Sequence, residues 1–367
     1  MWRMETVAKL DADLLLSKLK LLGFNLYKLD TNGINAVYLC VYNDTNILII
    51  PDKVTIAEDL YESISMLGLG IYKGRPMSLK VYGGKVLVST TRMFDYSSFD
   101  TLDLTELDTH NVKNMSSMFL NSDINSLKLD GMDTSNVIDM SSMFYGCDIK
   151  ELDLSSFDTS NVVYMDGMFG RCTAEKINIS NFNTKKVMSM HYMFERCKDK
   201  NLDLSVLDTS NVETMLGLFL GYKTDELDIS NFNTRKVTSM CSMFEGSEIN
   251  KLKLSGIDTS NVTDMEAMFK DCTIPKIDIS GINTSKVVSM CSMFSNCKTT
   301  KLNLSSFDTS NVDNMESMFS WCIADEVDIS GFDTSKLKYR NNMFKYCKIK
   351  SIKLNTDKKL LTEWNYR

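Results

Sequence analysis

Apolar and polar positions alternate with a fixed rhythm over about three quarters of the chain. In residues 152–169, Leu152 and Leu154 flank Asp153, the period-two pattern of a short strand with one buried face. The same pair returns as Leu102/Leu104, Leu127/Leu129, Ile177/Ile179, Leu202/Leu204, Leu227/Ile229, Leu252/Leu254, Ile277/Ile279, Leu302/Leu304, Val327/Ile329 and Ile352/Leu354, which predicts eleven strands. Phe157 follows, then Asp158-Thr159. Thr holds this phase in ten repeats, from Thr109 to Thr334, always after Asp or Asn. Such short polar side chains suit the free N–H groups of a starting helix. Val162, Met165, Met168 and Phe169 then fall at i, i+3, i+6 and i+7, which predicts a short helical turn. A Phe preceded by Met or Leu recurs every 25 residues, eleven times from Phe94 to Phe344. The predicted unit is therefore strand, turn, short helix and return loop. A fixed period of this length marks a solenoid, whose repeats cannot fold singly.

A second rhythm is laid over the first. The turn reads Asp-Thr-Ser-Asn from Asp158, Asp208, Asp258 and Asp308. Between these it reads Asn183-Thr184-Lys185-Lys186, Asn233-Thr234-Arg235-Lys236 and Asn283-Thr284-Ser285-Lys286. The array thus looks like a duplicated two-repeat unit.

Residues 1–76 do not repeat. Leu10, Leu14, Leu15, Leu19 and Leu22 have helical spacing within residues 5–22. Asn25–Leu29 and Ile34–Tyr42 read as strands around the turn signal Asp30-Thr31-Asn32-Gly33, with Asn46–Ile50 a third strand and Lys53–Met66 a second helix. Leu79 and Leu87, 25 residues before Leu104 and Val112, start the repeat in degenerate form. The expected division is an α+β cap at 1–76 over the first sheet edge, the array at 77–354, and a basic C-terminal cap at 355–367.

Composition adds a charge asymmetry. The net charge is −7, which argues against a general nucleic-acid binder. Residues 334–367 nevertheless carry ten Lys/Arg and only two acids, a local +8. Lys345, Lys348, Lys350, Lys353, Lys358 and Lys359 form its candidate anion-facing patch. No run approaches 18 consecutive apolar residues, so no membrane span is expected. Leu14–Leu16 is cut off by Lys18 and Lys20, unlike the core of a signal peptide. These readings predict a cytoplasmic protein; a start further upstream that encoded a signal would place it at the surface.

Catalytic chemistry finds little support. Seven of the ten cysteines, Cys147, Cys172, Cys197, Cys272, Cys297, Cys322 and Cys347, share one phase that elsewhere holds Ser122, Tyr222 and Ser247. A slot that accepts Cys, Ser or Tyr is a packing position, and the spacings do not match zinc sites. His110 and His191 sit at unrelated phases, and no phosphate-cradling glycine loop is present. We expect no catalytic residue, no metal and no cofactor.

The variable column is the residue between the two strand apolars: Asp103, Lys128, Asp153, Asn178, Asp203, Asp228, Lys253, Asp278, Asn303, Asp328 and Lys353. Its charge changes from turn to turn while the core phases do not, so it is the candidate partner-binding face. Few aromatics lie in it, which argues against a strong hot spot there.

The string at 152–169, Leu-Asp-Leu-Ser-Ser-Phe-Asp-Thr-Ser-Asn-Val-x-x-Met-x-x-Met-Phe, recurs at 302–319 with Asn303 for the first Asp. It resembles the BspA-like leucine-rich repeats, and more narrowly the DUF285 or mycoplasma-type lipoprotein repeat. The resemblance implies a bacterial surface protein of adhesive type with no shared catalytic residues, although no signal peptide or anchor is seen in this sequence. The combined expectation is an α/β solenoid: a right-handed BspA-like leucine-rich-repeat array of parallel strands and short helices behind a small α+β cap. Its expected role is non-catalytic macromolecular binding inside the cell, with a protein as the favoured partner. Nucleic acid or nucleoprotein at the basic C-terminal end is a second partner class. The alternatives in function are a surface adhesin, and a phage- or mobile-element-encoded inhibitor of a host nuclease or defence complex. The sequence does not fix the oligomeric state.

Overall fold

The computed structural model describes residues 12–29, 37–42, 45–50, 71–72 and 75–355. The expected helix Lys53–Met66, the turn Asp30–Gly33, and Lys358 and Lys359 lie outside the described residues. The chain divides into two compact units, Met1–Asn183 and Thr184–Arg367.

The first unit opens with α1 (Ala12–Leu21), β1 (Asn25–Leu29), β2 (Val37–Tyr42) and β3 (Thr45–Ile50). Then come β4 (Ile71–Tyr72), β5 (Arg75–Gly83), β6 (Ser98–Leu107), β7 (Asp123–Lys128), β8 (Glu151–Asp153) and β9 (Lys176–Asn178). One sheet runs β1-β2-β3-β5-β6-β7, with β4 paired to β5. Its β1/β2 and β2/β3 pairs are antiparallel, and from β3 onward the path is parallel. Leu15, Leu16 and Leu19 of α1 pack on Cys40, Ile47, Ile49 and Tyr82, so one apolar face of the helix covers this sheet. Entry into the repeat is irregular. Leu79 pairs with Leu102 across two register shifts, and the 25-residue spacing is established by the bridge Ser89↔Asn114.

The second unit holds β10 (Lys223–Asp228), β11 (Glu248–Lys253), β12 (Lys276–Ile277), β13 (Lys301–Asn303), β14 (Ile323–Asp328) and β15 (Lys348–Lys353). They form one parallel sheet in chain order, with partners 25 residues apart, such as Leu252↔Ile277 and Val327↔Ile352. A second ladder of single bridges, Thr214↔Ser239↔Asp264↔Ser289↔Asn314↔Tyr339, runs beside it. In each unit the phenylalanines stack in register and are fully buried. Ring centroids lie 5.2–6.2 Å apart from Phe94 to Phe169, and 5.2–5.9 Å apart from Phe194 to Phe344. Phe, Met, Val and Leu columns thus fill the interior of a parallel-strand β-solenoid with turns of about 25 residues.

Among the described residues the short helices expected in each repeat are absent, as is the strand expected at Leu202/Leu204, and the α/β description is corrected. Among the described residues α1 is the only α-helix, and the Val-x-x-Met-x-x-Met-Phe segments are chains of tight turns. Two residues of each turn, four apart, have left-handed backbone: Ser117 and Asn121 (φ 56° and 50°), Ser242 and Gly246 (54° and 71°), Ser317 and Trp321 (56° and 61°). A left-handed residue breaks a right-handed helix. The hydrogen bonds show what replaces it. Met118 N–H donates to Met115 and Leu120 to Ser117 within the turn, while Ser117 donates to Ser141, Phe119 to Met143 and Asn121 to Tyr145 on the next. Alternate amides therefore bond outward to the neighbouring turn, and the buried backbone stays satisfied without a helix.

The polar string has its own structural tasks. Asp158, Asp208, Asp258 and Asp308 each accept the N–H two residues on, at 2.9–3.0 Å. The Thr column does not cap a helix as expected. Thr134, Thr209 and Thr309 donate from Oγ1 to carbonyls of the next turn, at 2.9–3.1 Å. Asn161, Asn211, Asn261 and Asn311 reach back to carbonyls of the preceding turn at 2.6–2.8 Å. The two-repeat alternation is also physical. Lys236, Lys286 and Lys336 of the Asn/Asp-Thr-x-Lys turns donate to the side chains of Asn211, Asn261 and Asn311 at 2.6–2.7 Å.

Candidate functional site

The variable strand column is largely occupied by the fold itself. Asp153, Asp203, Asp228, Asp278 and Asp328, and likewise Asn178 and Asn303, each accept the backbone N–H of the Ser two residues later, at 3.0–3.2 Å. Asp103 does the same for Thr105 at 3.1 Å. These are Asx-turns that end the strand. The bonds from Ser205 and Ser280 hold the carboxyls of Asp203 and Asp278 below the usual carboxylate range. Burial pushes Asp103 up, but the Thr105 bonds together with Lys80 and Lys128 outweigh it, and its net shift is downward.

Where the column holds Lys, the side chain leans back onto the preceding turn. Lys128 lies 3.6 Å from Asp103, and Lys253 lies 2.8 Å from Asp228 and 2.7 Å from Glu226. Lys353 lies 2.5 Å from Glu326 and 3.9 Å from Asp328. The bond from Lys253, backed by Ser230, lowers Asp228 to about 2. The column is thus a ladder of turn-ending caps and inter-turn ion pairs on an exposed face.

The C-terminal basic patch is partly neutralised in the same way. Lys350 lies 2.6 Å from Asp325, and Lys353 is held as above. Lys345 and Lys348 are exposed, and the Lys345 ammonium sits 5.3 Å from the centre of the Tyr346 ring. That leaves Lys345 and Lys348 as its outward cations among the described residues.

The groups with chemical potential are engaged or buried. His110 bridges Asp108 (2.5 Å) and Asn111 (2.8 Å), and His191 bonds the Thr214 hydroxyl at 2.9 Å. All ten cysteines are free thiols. Burial pushes Cys272 and Cys322 up to about 12 and Cys297 well above its ordinary value, so these thiols are poor nucleophiles. Ser247 Oγ and Cys272 Sγ both donate to carbonyls of a Phe one turn back, at 2.7 Å, which shows why the slot accepts either residue. Among the described residues no cluster of three or more His, Cys, Asp and Glu could hold a metal ion, and no helix is long and apolar enough to cross a membrane.

One feature of the surface lay outside the sequence reading. Trp321 and Tyr346 lie with ring centroids 4.6 Å apart and planes tilted by 39°, 55% and 57% exposed; the Lys345 ammonium sits by the Tyr346 ring, and exposed Ile323 follows Trp321 by two residues. Both occupy the second left-handed position of their turns, at φ 61° and 58°. Bulky side chains are rare in that backbone region. The same phase elsewhere carries Asn121, Gly146, Gly221, Gly246, Asp271 and Asn296, residues that suit it, but also Tyr96, Arg171 and Arg196; what sets Trp321 and Tyr346 apart is two exposed rings in contact on neighbouring turns. The signal was legible as aromatic residues, Trp321 and Tyr346, at one phase of neighbouring repeats, but only once that phase was known to face solvent.

A search of curated proteins finds no match to this chain. A family described as "Mycoplasma protein of unknown function, DUF285" matches residues 88–206, 193–280 and 273–366, which together span the solenoid. Those matches cover about three quarters of the chain, and the chain belongs to the DUF285 family.

Proposed function

We propose that this protein is a non-catalytic scaffold that binds another protein through the outside of its solenoid. The Trp321–Tyr346 pair carries the reading. The interior columns require nothing of that position, its backbone disfavours large side chains, and yet two aromatic rings stand exposed there with centroids 4.6 Å apart. Trp and Tyr dominate the energetic centres of protein interfaces, because they bring large contact area at low conformational cost. A flanking ammonium at 5.3 Å and an adjacent apolar Ile323 complete a mixed patch of that kind. Elsewhere the polar groups are committed to caps and inter-turn bonds, which supports a structural rather than a catalytic assignment for them. The buried thiols fit a reducing compartment, and we place the working location in the cytoplasm. The adhesin and inhibitor readings differ in partner and in location, and the reduced thiols favour the intracellular one.

Affinity capture from cells of the source organism, followed by titration of the retained protein, tests this. A discrete partner should bind the full chain, and Trp321→Ala should weaken it about 30-fold without lowering the melting temperature. Binding that Trp321→Ala and Tyr346→Ala both leave unchanged would refute the assignment.

A further inference from the structure

We infer that the solenoid carries a second docking site, at parted turns around Pro275, that takes a carboxylate-rich segment of a partner protein. It rests on the protein-binding reading and adds a place and a chemistry to it.

The site begins with a missing donor. Pro275 has no N–H, whereas its counterpart one repeat on, Thr300, donates to the Pro275 carbonyl at 3.1 Å, and Asp325 donates to Thr300 at 2.9 Å. The next strand, β12, is reduced to Lys276–Ile277 and pairs with β13 at one position only, Lys276↔Lys301. Beyond it the turns stand apart. Ile229 N–H reaches the Lys253 carbonyl at 3.2 Å and Leu304 reaches Asp328 at 2.8 Å, but among the described residues no bond joins Leu254 to Asp278. A Cβ added at Gly256 would lie 3.0 Å from the Ser230 carbonyl oxygen, while one at Gly281 would meet nothing within 4 Å. Two depressions of about 390 and 340 Å³ open here and share Leu252, Lys253 and Asp278.

The chemistry around the opening is cationic. Lys251, Lys276 and Lys301 stand in direct register on three successive strands. Like charges directly opposite one another destabilise a sheet. The outer two are compensated, Lys251 by Glu226 at 3.2 Å and Lys301 by Glu326 at 3.4 Å. Lys276, exposed between them, has no carboxylate within 4.0 Å among the described residues. An external anion seated over Lys276 would meet three ammonium groups and relieve that repulsion.

The shape of the band chooses among anions. Three strands span only about 10 Å at the usual spacing. Glu226 and Asp228 bound it on one side, and Glu326 and Asp328 on the other. A phosphodiester chain running along the stack would meet those carboxylates on leaving the lysines. A short cluster of two or three carboxylates fits within the band, and the apolar Leu252 and Ile277 beside it suit a polypeptide.

Fluorescence anisotropy on the full chain tests this, with a labelled oligoglutamate peptide and a labelled single-stranded DNA oligonucleotide of equal charge as probes. The peptide should bind, lose affinity as salt rises, and bind on the order of tenfold more weakly to Lys276→Glu. Lys276→Gln should show a smaller loss, with neither melting temperature lowered, because the side chain has no ion pair to lose and its removal relieves a like-charge contact. Trp321→Ala should leave peptide affinity as it is. Absence of peptide binding, equal binding by Lys276→Glu, or tighter binding of the oligonucleotide would each overturn the assignment. If the peptide result fails while Trp321-dependent partner binding persists, this site falls and the scaffold reading stands; if both fail, both fall.

Discussion

Two joints of the second unit, built from the same repeat, differ in closure. At Gly331 an added Cβ would sit 2.1 Å from the Ser305 carbonyl oxygen, β14 pairs with β15 at five positions, and Ile329 N–H reaches Lys353 at 2.8 Å. At Gly281 an added Cβ would meet nothing within 4 Å, and β12 has two residues. Yet the interior hardly changes: Phe269–Phe294 centroids are 5.5 Å apart and Phe319–Phe344 centroids 5.2 Å. The inner columns and the outer hydrogen bonds are thus separable. Apolar periodicity holds the stack together, and the polar exterior decides where it is shut and where it parts.

The largest effect that could break this comparison lies inside. Phe294→Ala and Phe319→Ala should each cost about 3–5 kcal/mol in denaturant unfolding, and their costs should agree within about 1 kcal/mol. A much smaller loss at Phe294 would mean that the opening reaches the core. The glycines sharpen the contrast. Gly331→Ala should destabilise by about 1–3 kcal/mol, as the methyl group must displace a carbonyl. Gly281→Ala should be neutral, or stabilise by about 0.4–1 kcal/mol through the unfolded chain, and equal losses at the two would sink the idea of a local opening. The smallest effect concerns acid. Asp228, lowered from 3.8 to about 2, contributes stability that is present above about pH 4 and lost as pH falls through about 2. Asp228→Asn keeps an acceptor for Ser230 and loses the Lys253 pair, so its acid unfolding midpoint, followed by circular dichroism, should shift slightly upward. An unchanged midpoint would remove Asp228 from the acid response.

Much of this was legible in the sequence, because burial leaves a periodic trace. The Phe, Met and strand Leu/Ile columns, α1 and the strands β1 to β3 follow from apolar spacing alone. The helix did not follow, because Val162, Met165, Met168 and Phe169 satisfy a helical period while the backbone turns left-handed at Gly167 between them and again at Arg171 just after. Spacing reports which side chains are inside, not which way φ turns. The strand-face column was visible as exposed and variable. Its caps onto Ser155, Ser205 and Ser280 were not, because an Asx-turn and a free carboxylate read identically in sequence. Pro275, the one proline within the array, and the contact between Trp321 and Tyr346 were missed as surface features for the same reason: a repeat draws attention to what recurs at every turn.

Within the β10–β15 sheet a continuous interior lies beneath an exterior that parts around Pro275. Native-state amide hydrogen exchange across the second unit reads both at once. Protection should be high and even for the amides of Phe219, Phe244, Phe269, Phe294 and Phe319, with a sharp minimum at residues 278–281. Uneven protection along the phenylalanine column, or protection at 278–281 equal to that at 328–331, would contradict it.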